Sequence, residues 1–246
     1  MDDTPARPVL RVIGRGRAGG ALGLAAAQAG WRVAQALGRD DDPAPAARGV
    51  DLLVIATPDG AVAEVAARVA VEPTTVVAHL AGSLGLEALS PHPRRAALHP
   101  LVSMPSPERG ADALVGVWWA VAGDPRGRRL VDDLGGRMEG VADADRARYH
   151  AAACIAANHL VALLGQVERV AATVGVPLEA FWPLVRGVLD NVEALGPRAA
   201  LTGPVARGDW ATVGRHRAAL DPAELPAYDA MAALADRLAR GQDAGS

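Results

Sequence analysis

The stretch Val9-Leu-Arg-Val-Ile13-Gly14-Arg-Gly-Arg-Ala-Gly19 decides the fold. Val9 to Ile13 is a short run rich in branched apolar residues, the texture of a buried strand. It passes without a break into Gly14, Gly16 and Gly19, and Ala21 to Ala29 then reads as a helix closed by Gly30. Each glycine has its own reason to be there. Gly14 permits a tight turn, Gly16 lets the backbone approach a pyrophosphate, and Gly19 lets the helix lie close on the sheet. The helix N-terminus then presents free N–H groups to an anion, and Arg17 and Ala18 within the turn join the three glycines as expected cofactor-binding residues. A strand before and a helix after turn a glycine spacing into a dinucleotide-binding fingerprint.

Outward from this turn, strand and helix patterns alternate. Arg32 to Leu37, Asp51 to Ala56, Thr75 to Leu80, Arg95 to Leu98 and Val115 to Ala122 read as strands. Ala61 to Ala70 and Arg126 to Leu134 read as helices. The alternation predicts an α/β domain with a mostly parallel, doubly wound sheet. From Asp143 the texture is helical throughout, with no strand pattern after about residue 125. Arg146 to Val174, Leu178 to Leu195, Pro197 to Ala200, Trp210 to Ala219 and Leu225 to Arg240 read as helices between Gly and Pro turn signals. The expected organisation is a Rossmann nucleotide-binding domain over 1–142 and an all-helical substrate and dimerisation domain over 143–246.

Composition bounds the chemistry. The chain has 246 residues and a net charge of −3, and all 25 of its basic residues are arginine. With no lysine there is no lysine Schiff base, general base or phosphate clamp. The 54 alanines favour helix. Near-neutral charge predicts no nucleic-acid partner and no anionic membrane surface. The single cysteine, Cys154, excludes an intramolecular disulfide framework and an all-cysteine zinc site. No metal cluster is expected. The polar opening residues, Met1 to Pro8, read as no leader, and no purely apolar run reaches the roughly 18 residues a bilayer needs. A reducing cytoplasm fits this cysteine usage.

The cofactor is chosen after the second strand, where a carboxylate suits the ribose 2′-OH of NAD and an arginine the 2′-phosphate of NADP. Arg39 comes first there, followed by Asp40, Asp41 and Asp42. NADP is the expected cofactor, NAD the less favoured one. Thr57-Pro58, following the third strand, is expected to line the same site. In sheets of this kind ligands sit at the carboxyl ends of the strands. Ser83, in Ala81-Gly-Ser-Leu84, and His99, in Leu98-His-Pro-Leu101, fall at two of those ends. Serine donates and accepts, and histidine exchanges a proton near neutral pH, so the pair could hold a substrate oxygen and shuttle its proton. On the long helix His150, Cys154 and Asn158 are spaced four apart and share a face, a polar stripe among alanines.

These segments resemble the 6-phosphogluconate dehydrogenase-like superfamily, and within it the Rossmann-like proteins with a helical C-terminal domain of unknown function. The carrying motifs are Val12-Ile-Gly-Arg-Gly-Arg-Ala-Gly19, Ala56-Thr-Pro-Asp59, His79-Leu-Ala-Gly-Ser83, Leu98-His-Pro100, Tyr149-His-Ala-Ala-Ala-Cys-Ile-Ala-Ala-Asn158 and Leu201-Thr-Gly-Pro-Val-Ala-Arg-Gly-Asp209. The resemblance implies an NADP cofactor, a small-molecule substrate and a homodimer built through the helical domain. It implies a histidine at His99 near the reacting hydroxyl, a serine at Ser83 and an asparagine at Asn158. The β-hydroxyacid dehydrogenases' lysine, one turn before that asparagine, falls at Cys154, which removes their lysine-assisted chemistry. Arg207, in the loop with Asp209, is the first arginine to test as a carboxylate clamp. The expected function is hydride transfer between NADP and a small carbonyl or alcohol, with a 2-oxo acid of the ketopantoate kind as the substrate implied by the superfamily. His99 would move the proton, while Ser83 and Asn158 orient the oxygen. The alternatives are an NADP-binding sensor or scaffold without chemistry, and a reductase of another cofactor such as a deazaflavin.

Overall fold

A computed structural model describes residues 7–241, and the expectation about the leader falls on opening residues outside that range. The chain forms two compact units, residues 1–157 and 158–246.

The first unit is built on one seven-stranded sheet. Its strands are β1 (Val9–Ile13), β2 (Arg32–Val33), β3 (Leu52–Ile55), β4 (Val76–His79), β5 (Arg95–Pro100), β6 (Trp118–Gly123) and β7 (Arg137–Gly140). They lie in the order β2-β1-β3-β4-β5-β6-β7, with every neighbouring pair parallel except the antiparallel β5–β6. The helices are α1 (Arg17–Gln28), α2 (Val62–Arg68), α3 (Pro107–Ala113), α4 (Arg128–Asp133) and α5 (Arg146–Cys154). This is the expected α/β, Rossmann-like architecture.

The continuous apolar strands are explained by cores on both faces. Leu10, Val12, Leu52, Val54, Ala78 and Leu98 point to one face, where residues of α1, α3 and α4 cover them. Val9, Ile13, Leu53, Ile55 and Val77 point to the other, against Val62, Ala66 and the segment around Ala46 and Ala47. Arg11 shares that second face but ends at the surface, its guanidinium donating to the Ala46 carbonyl at 2.8 Å. Helix α3 sits close enough to α1 that a Cβ on Gly110 would stand 2.7 Å from Ala21 Cβ.

Two strand expectations change. A strand does follow residue 125: β7, Arg-Met-Glu-Gly, pairs with β6 at the sheet edge. One face of an edge strand this short carries no apolar pattern, so alternation could not mark it. Strand β2 is two residues long, and the expected stretch to Leu37 is reduced to a bridge between Ile13 and Leu37. The first compact unit extends to Ala157 and takes in α5, whose Tyr149 and His150 rings meet His99 of β5 edge to face.

The second unit is helical: α6 (Leu160–Ala172), α7 (Trp182–Leu195), α8 (Pro197–Ala200), α9 (Trp210–Ala219) and α10 (Leu225–Ala239). The single helix expected over Arg146 to Val174 is instead α5, a π-helical turn at Ile155–His159, and α6. This whole span, Asp143–Ala172, is long and apolar enough to cross a membrane by length and composition. The sequence criterion of an unbroken apolar run missed it because His150, Asn158 and Gln166 interrupt a stretch, 149–167, that holds no charged carboxylate or arginine. Within the second unit, Arg169 makes a two-pronged ion pair with Glu224 at 2.6 and 3.0 Å. Asp209 caps α9, accepting from the Thr212 N–H at 3.0 Å and its hydroxyl at 2.7 Å.

Candidate functional site

The glycine turn has the geometry its spacing predicts. Gly14 sits at φ +113°, and a Cβ there would stand 2.5 Å from the Ala56 carbonyl oxygen. A Cβ on Gly19 would stand 2.0 Å from the Gly14 carbonyl oxygen and 3.0 Å from Val12 Cγ1. Gly16 is different: nothing lies within 4 Å of its Cβ position. Packing therefore forces two of the glycines, whereas the Gly16 Cβ position faces open space. Gly16 is the N-cap of α1 and no side chain caps that end. The N–H groups of Arg17, Ala18 and Gly19 remain free to bind an anion.

A cavity of about 510 Å³ opens beside the turn, lined by Gly14, Arg15, Gly16, Arg39, Thr57 and Pro58 among others. The loop after β2 is organised by Asp41, which accepts from the Gly38 N–H at 2.7 Å and from Arg15 at 2.7 Å. Arg15 also donates twice to the Ala36 carbonyl, at 3.0 and 2.9 Å. Asp41 is thus satisfied inside the protein. Arg39 is exposed and reaches the cavity wall, as does Arg68 from α2. Thr57 Oγ1 is buried without a hydrogen-bond partner in the protein.

A chain of contacts leads from this turn along the carboxyl ends of the strands. Gly14 packs on Ala56 and Thr57 at the end of β3. Two residues on, Asp59 accepts from Ser83 Oγ at 3.2 Å. Next to Ser83, Gly82 leaves the room into which two histidines fit. A Cβ on Gly82 would stand 2.4 Å from His150 Nδ1 and 3.0 Å from His99 Nε2. The His99 and His150 rings meet edge to face, 5.6 Å apart. His99 Nδ1 lies 2.7 Å from Tyr149 Oη. His150 Nε2 lies 3.5 Å from Cys154 Sγ. At the end of β4, His79 is fully buried and donates from Nε2 to the Gly85 carbonyl at 3.2 Å.

Beneath this cluster lies Arg146, the first residue of α5, at 0% exposure. Its guanidinium makes no hydrogen bond among the described residues. Its nearest anion is Asp143, with Nε at 3.6 Å from a carboxylate oxygen. A buried cation so thinly compensated sets the electrostatics of its neighbours. Burial, with His150 and Arg146 adding positive charge, pushes His99 down to about 4. Burial also lowers His79. Burial raises the Tyr149 phenol above its ordinary range, while Arg146 pulls it back. At neutral pH the cluster therefore holds a neutral His99 and a protonated Tyr149.

The sequence-predicted residues fall into groups. Gly14, Gly16, Arg17, Ala18, Gly19, Arg39, Thr57 and Pro58 gather around the turn, its helix and its cavity. Ser83, His99, His150 and Cys154 lie along the strand ends. Asn158 belongs to the second unit and is exposed on the π-helical turn. That turn adds a residue to the helical repeat after Cys154, so the four-residue spacing holds as a contact only for His150 and Cys154. Arg207 is an exposed residue of a short 3₁₀ turn in the second unit. Sequence reasoning missed Arg146 as a site residue, since burial does not distinguish one arginine among 25 in a sequence. It noted Tyr149 but gave it no role, though its place beside His150 on the helix was the available signal.

Residues 39–105 match the model of a Rossmann-like domain, and residues 119–235 that of a domain of unknown function, DUF2520. No curated protein sequence matches the chain significantly. Solved structures do. A candidate NADP oxidoreductase from Bacteroides fragilis is 19% identical, with 94% of this chain and 98% of that one aligned at a TM-score of 0.79. The protein TM1727 from Thermotoga maritima is 22% identical over 95% and 99%, with a TM-score of 0.73. A reductive aminase from Aspergillus terreus, solved with NADPH and ethyl-5-oxohexanoate, is 14% identical over 96% and 95%, with a TM-score of 0.69. At these identities the likeness establishes the fold: a Rossmann-like domain followed by a helical one.

Proposed function

We propose that the protein is an NADP-dependent oxidoreductase acting on a small carbonyl, alcohol or imine. The observation that carries the reading is the unbroken line of contacts from Gly14 through Thr57, Asp59 and Ser83 to Gly82 and the His99–Tyr149 pair. It joins a pyrophosphate cradle to a proton-transfer group along one edge of the sheet. The fit to the dinucleotide is physical: an open Cβ position at Gly16, uncapped N–H groups on α1, and an unpartnered Thr57 hydroxyl. Arg39 on the cavity wall suits a 2′-phosphate, and Asp41, the carboxylate on the same wall, is already engaged by Gly38 and Arg15. Fold neighbours described as NADP or NADPH proteins support the same reading.

The nicotinamide supplies hydride chemistry when bound. The chain's part is to hold the substrate and move its proton. His99, neutral at neutral pH, accepts a proton at one ring nitrogen and donates from the other. Ser83, tethered to Asp59, offers a hydroxyl near the same ends. The substrate panel starts from 2-oxo acids of the ketopantoate kind. NADPH consumption in the presence of such a panel, with imines added, tests the function. His99→Asn is expected to lower kcat about a hundredfold with NADPH affinity intact. Tight NADPH binding without turnover on the whole panel would favour the sensor reading instead.

A second copy of the chain is the proposed partner. Among the described hydrophobic residues of the second unit Ala171 and Val213 alone are buried, while Val161, Leu184, Leu189 and Leu234 stand exposed. Exposed apolar faces of this kind mark an interaction surface, and a second copy would cover them. Asn158, His159 and Gln166 within the apolar stretch suit a protein cover better than lipid. The lone free cysteine suits a cytoplasmic setting.

A further inference from the structure

We propose that Tyr149 is the reservoir of the proton the site delivers, passing it through His99 with Arg146 as the buried counter-charge. The inference rests on the oxidoreductase reading and assigns to it a positioning residue and a direction of charge flow. Tyr149 Oη and His99 Nδ1 are 2.7 Å apart, the distance of a good O–H···N bond. Tyr149 and Arg146 are three apart on α5 and so share a face. Arg146 is wholly buried and lacks a hydrogen-bond partner among the described residues.

These three facts decide which charge the site can tolerate. The groups facing His99 are His150 and Arg146 from α5, His79 from β4 and Asp59 from the loop after β3. Two more carboxylates, Asp143 and Glu87, bear on Arg146. An imidazolium on His99 would add a positive charge beside a guanidinium that is already poorly compensated, and burial makes that costly. A phenolate on Tyr149 is opposed by burial as well, but it carries the opposite charge and is the one Arg146 offsets. The relay that follows keeps His99 neutral throughout. Tyr149 O–H donates to His99 Nδ1, and His99 Nε2–H faces the substrate oxygen. As the carbonyl carbon gains a hydride from a reduced nicotinamide, the oxygen takes the Nε2 proton and Nδ1 takes the tyrosine proton. The C=O bond would become C–OH, the hydride and its two electrons being what a bound reduced nicotinamide would supply, and Tyr149 would be left as phenolate beside Arg146 until solvent reprotonates it.

The test has two arms. The chain contains two tyrosines, so in Tyr228→Phe the ultraviolet phenolate band reports Tyr149 alone. Adding Arg146→Met to that background should move the titration to higher pH, while Arg146→Lys should leave it close to the parent. An unmoved or lowered titration in a folded Met variant overturns the counter-charge. If the Met variant does not fold, Asp143→Asn serves: it should lower the pH of the Tyr149 titration, and no change overturns the proposal. The second arm is kinetic. In mixtures of light and heavy water the wild-type kcat should depend on deuterium fraction along a curve, because two protons move together. Tyr149→Phe should lose about a hundredfold in kcat, give a linear dependence and keep its NADPH affinity. A Tyr149→Phe enzyme with the wild-type rate or the wild-type curve overturns the relay while leaving the oxidoreductase reading intact. Wild-type protein that binds NADPH but turns over nothing removes the oxidoreductase reading and the relay with it, and then the titration arm reports only the Arg146–Tyr149 coupling.

Discussion

A Cβ on Gly19 would stand 2.0 Å from the Gly14 carbonyl oxygen, whereas one on Gly16 would meet nothing within 4 Å. The two glycines therefore answer different demands, and alanine separates them. Gly19→Ala forces the helix off the sheet and is expected to cost about 1–3 kcal/mol in chemical denaturation. Gly16→Ala should denature like the wild type yet bind NADPH about tenfold or more weakly, a loss of ~1.4 kcal/mol or greater. A Gly16→Ala protein that binds normally would show that no pyrophosphate approaches there. Motif spacing made these residues legible because the turn is local: its strand, its glycines and its helix are consecutive. Arg146 was not legible, since its significance lies in burial under strands contributed from residues far away in the chain.

At the scale of elements, β1, β3, β4 and β5 were readable because strands covered on both faces are apolar throughout. Strand β7 and helix α3 were not. The first is a four-residue edge strand, and the second is seven residues of Pro-Glu-Arg-Gly-Ala-Asp-Ala started by a Ser106 cap. Nor does a sequence announce a π-helical turn, which arises from how the helix meets its surroundings. The ends of β4 and β5 bring His79 and His99 into a buried setting that opposes their charging. With a native value of about 4 for His99 and an unfolded value near 6.5, the unfolded chain binds the extra proton between the two. Stability present above about pH 6.5 is then expected to fall as pH drops toward about 4. Denaturation midpoints across that interval check it, and His99→Asn should flatten the slope. A wild-type stability that is constant from neutral pH down to about 4 would contradict a buried neutral His99.

The whole molecule divides its labour unevenly. The first unit has two apolar cores and reads as complete, while the second exposes the apolar residues of α7 and α10. The sequence showed helices there but could not show that their faces stay uncovered, because that depends on which helices meet. Light scattering on purified protein should give the mass of a dimer. Leu189→Asp, on the exposed face of α7, should yield monomer or aggregate while the Rossmann-like unit keeps its NADPH affinity. A monodisperse wild-type monomer would contradict the second copy, and recovery only with phospholipid vesicles would assign the cover to a membrane. The glycine turn and Arg39 are proposed to hold NADP. Calorimetric titration of the wild type and of Arg39→Ala with NADPH and NADH tests it most directly. NADPH should bind more tightly than NADH, and the gap should narrow in Arg39→Ala. Equal affinities for the two cofactors in the wild type, or binding of neither, would contradict it.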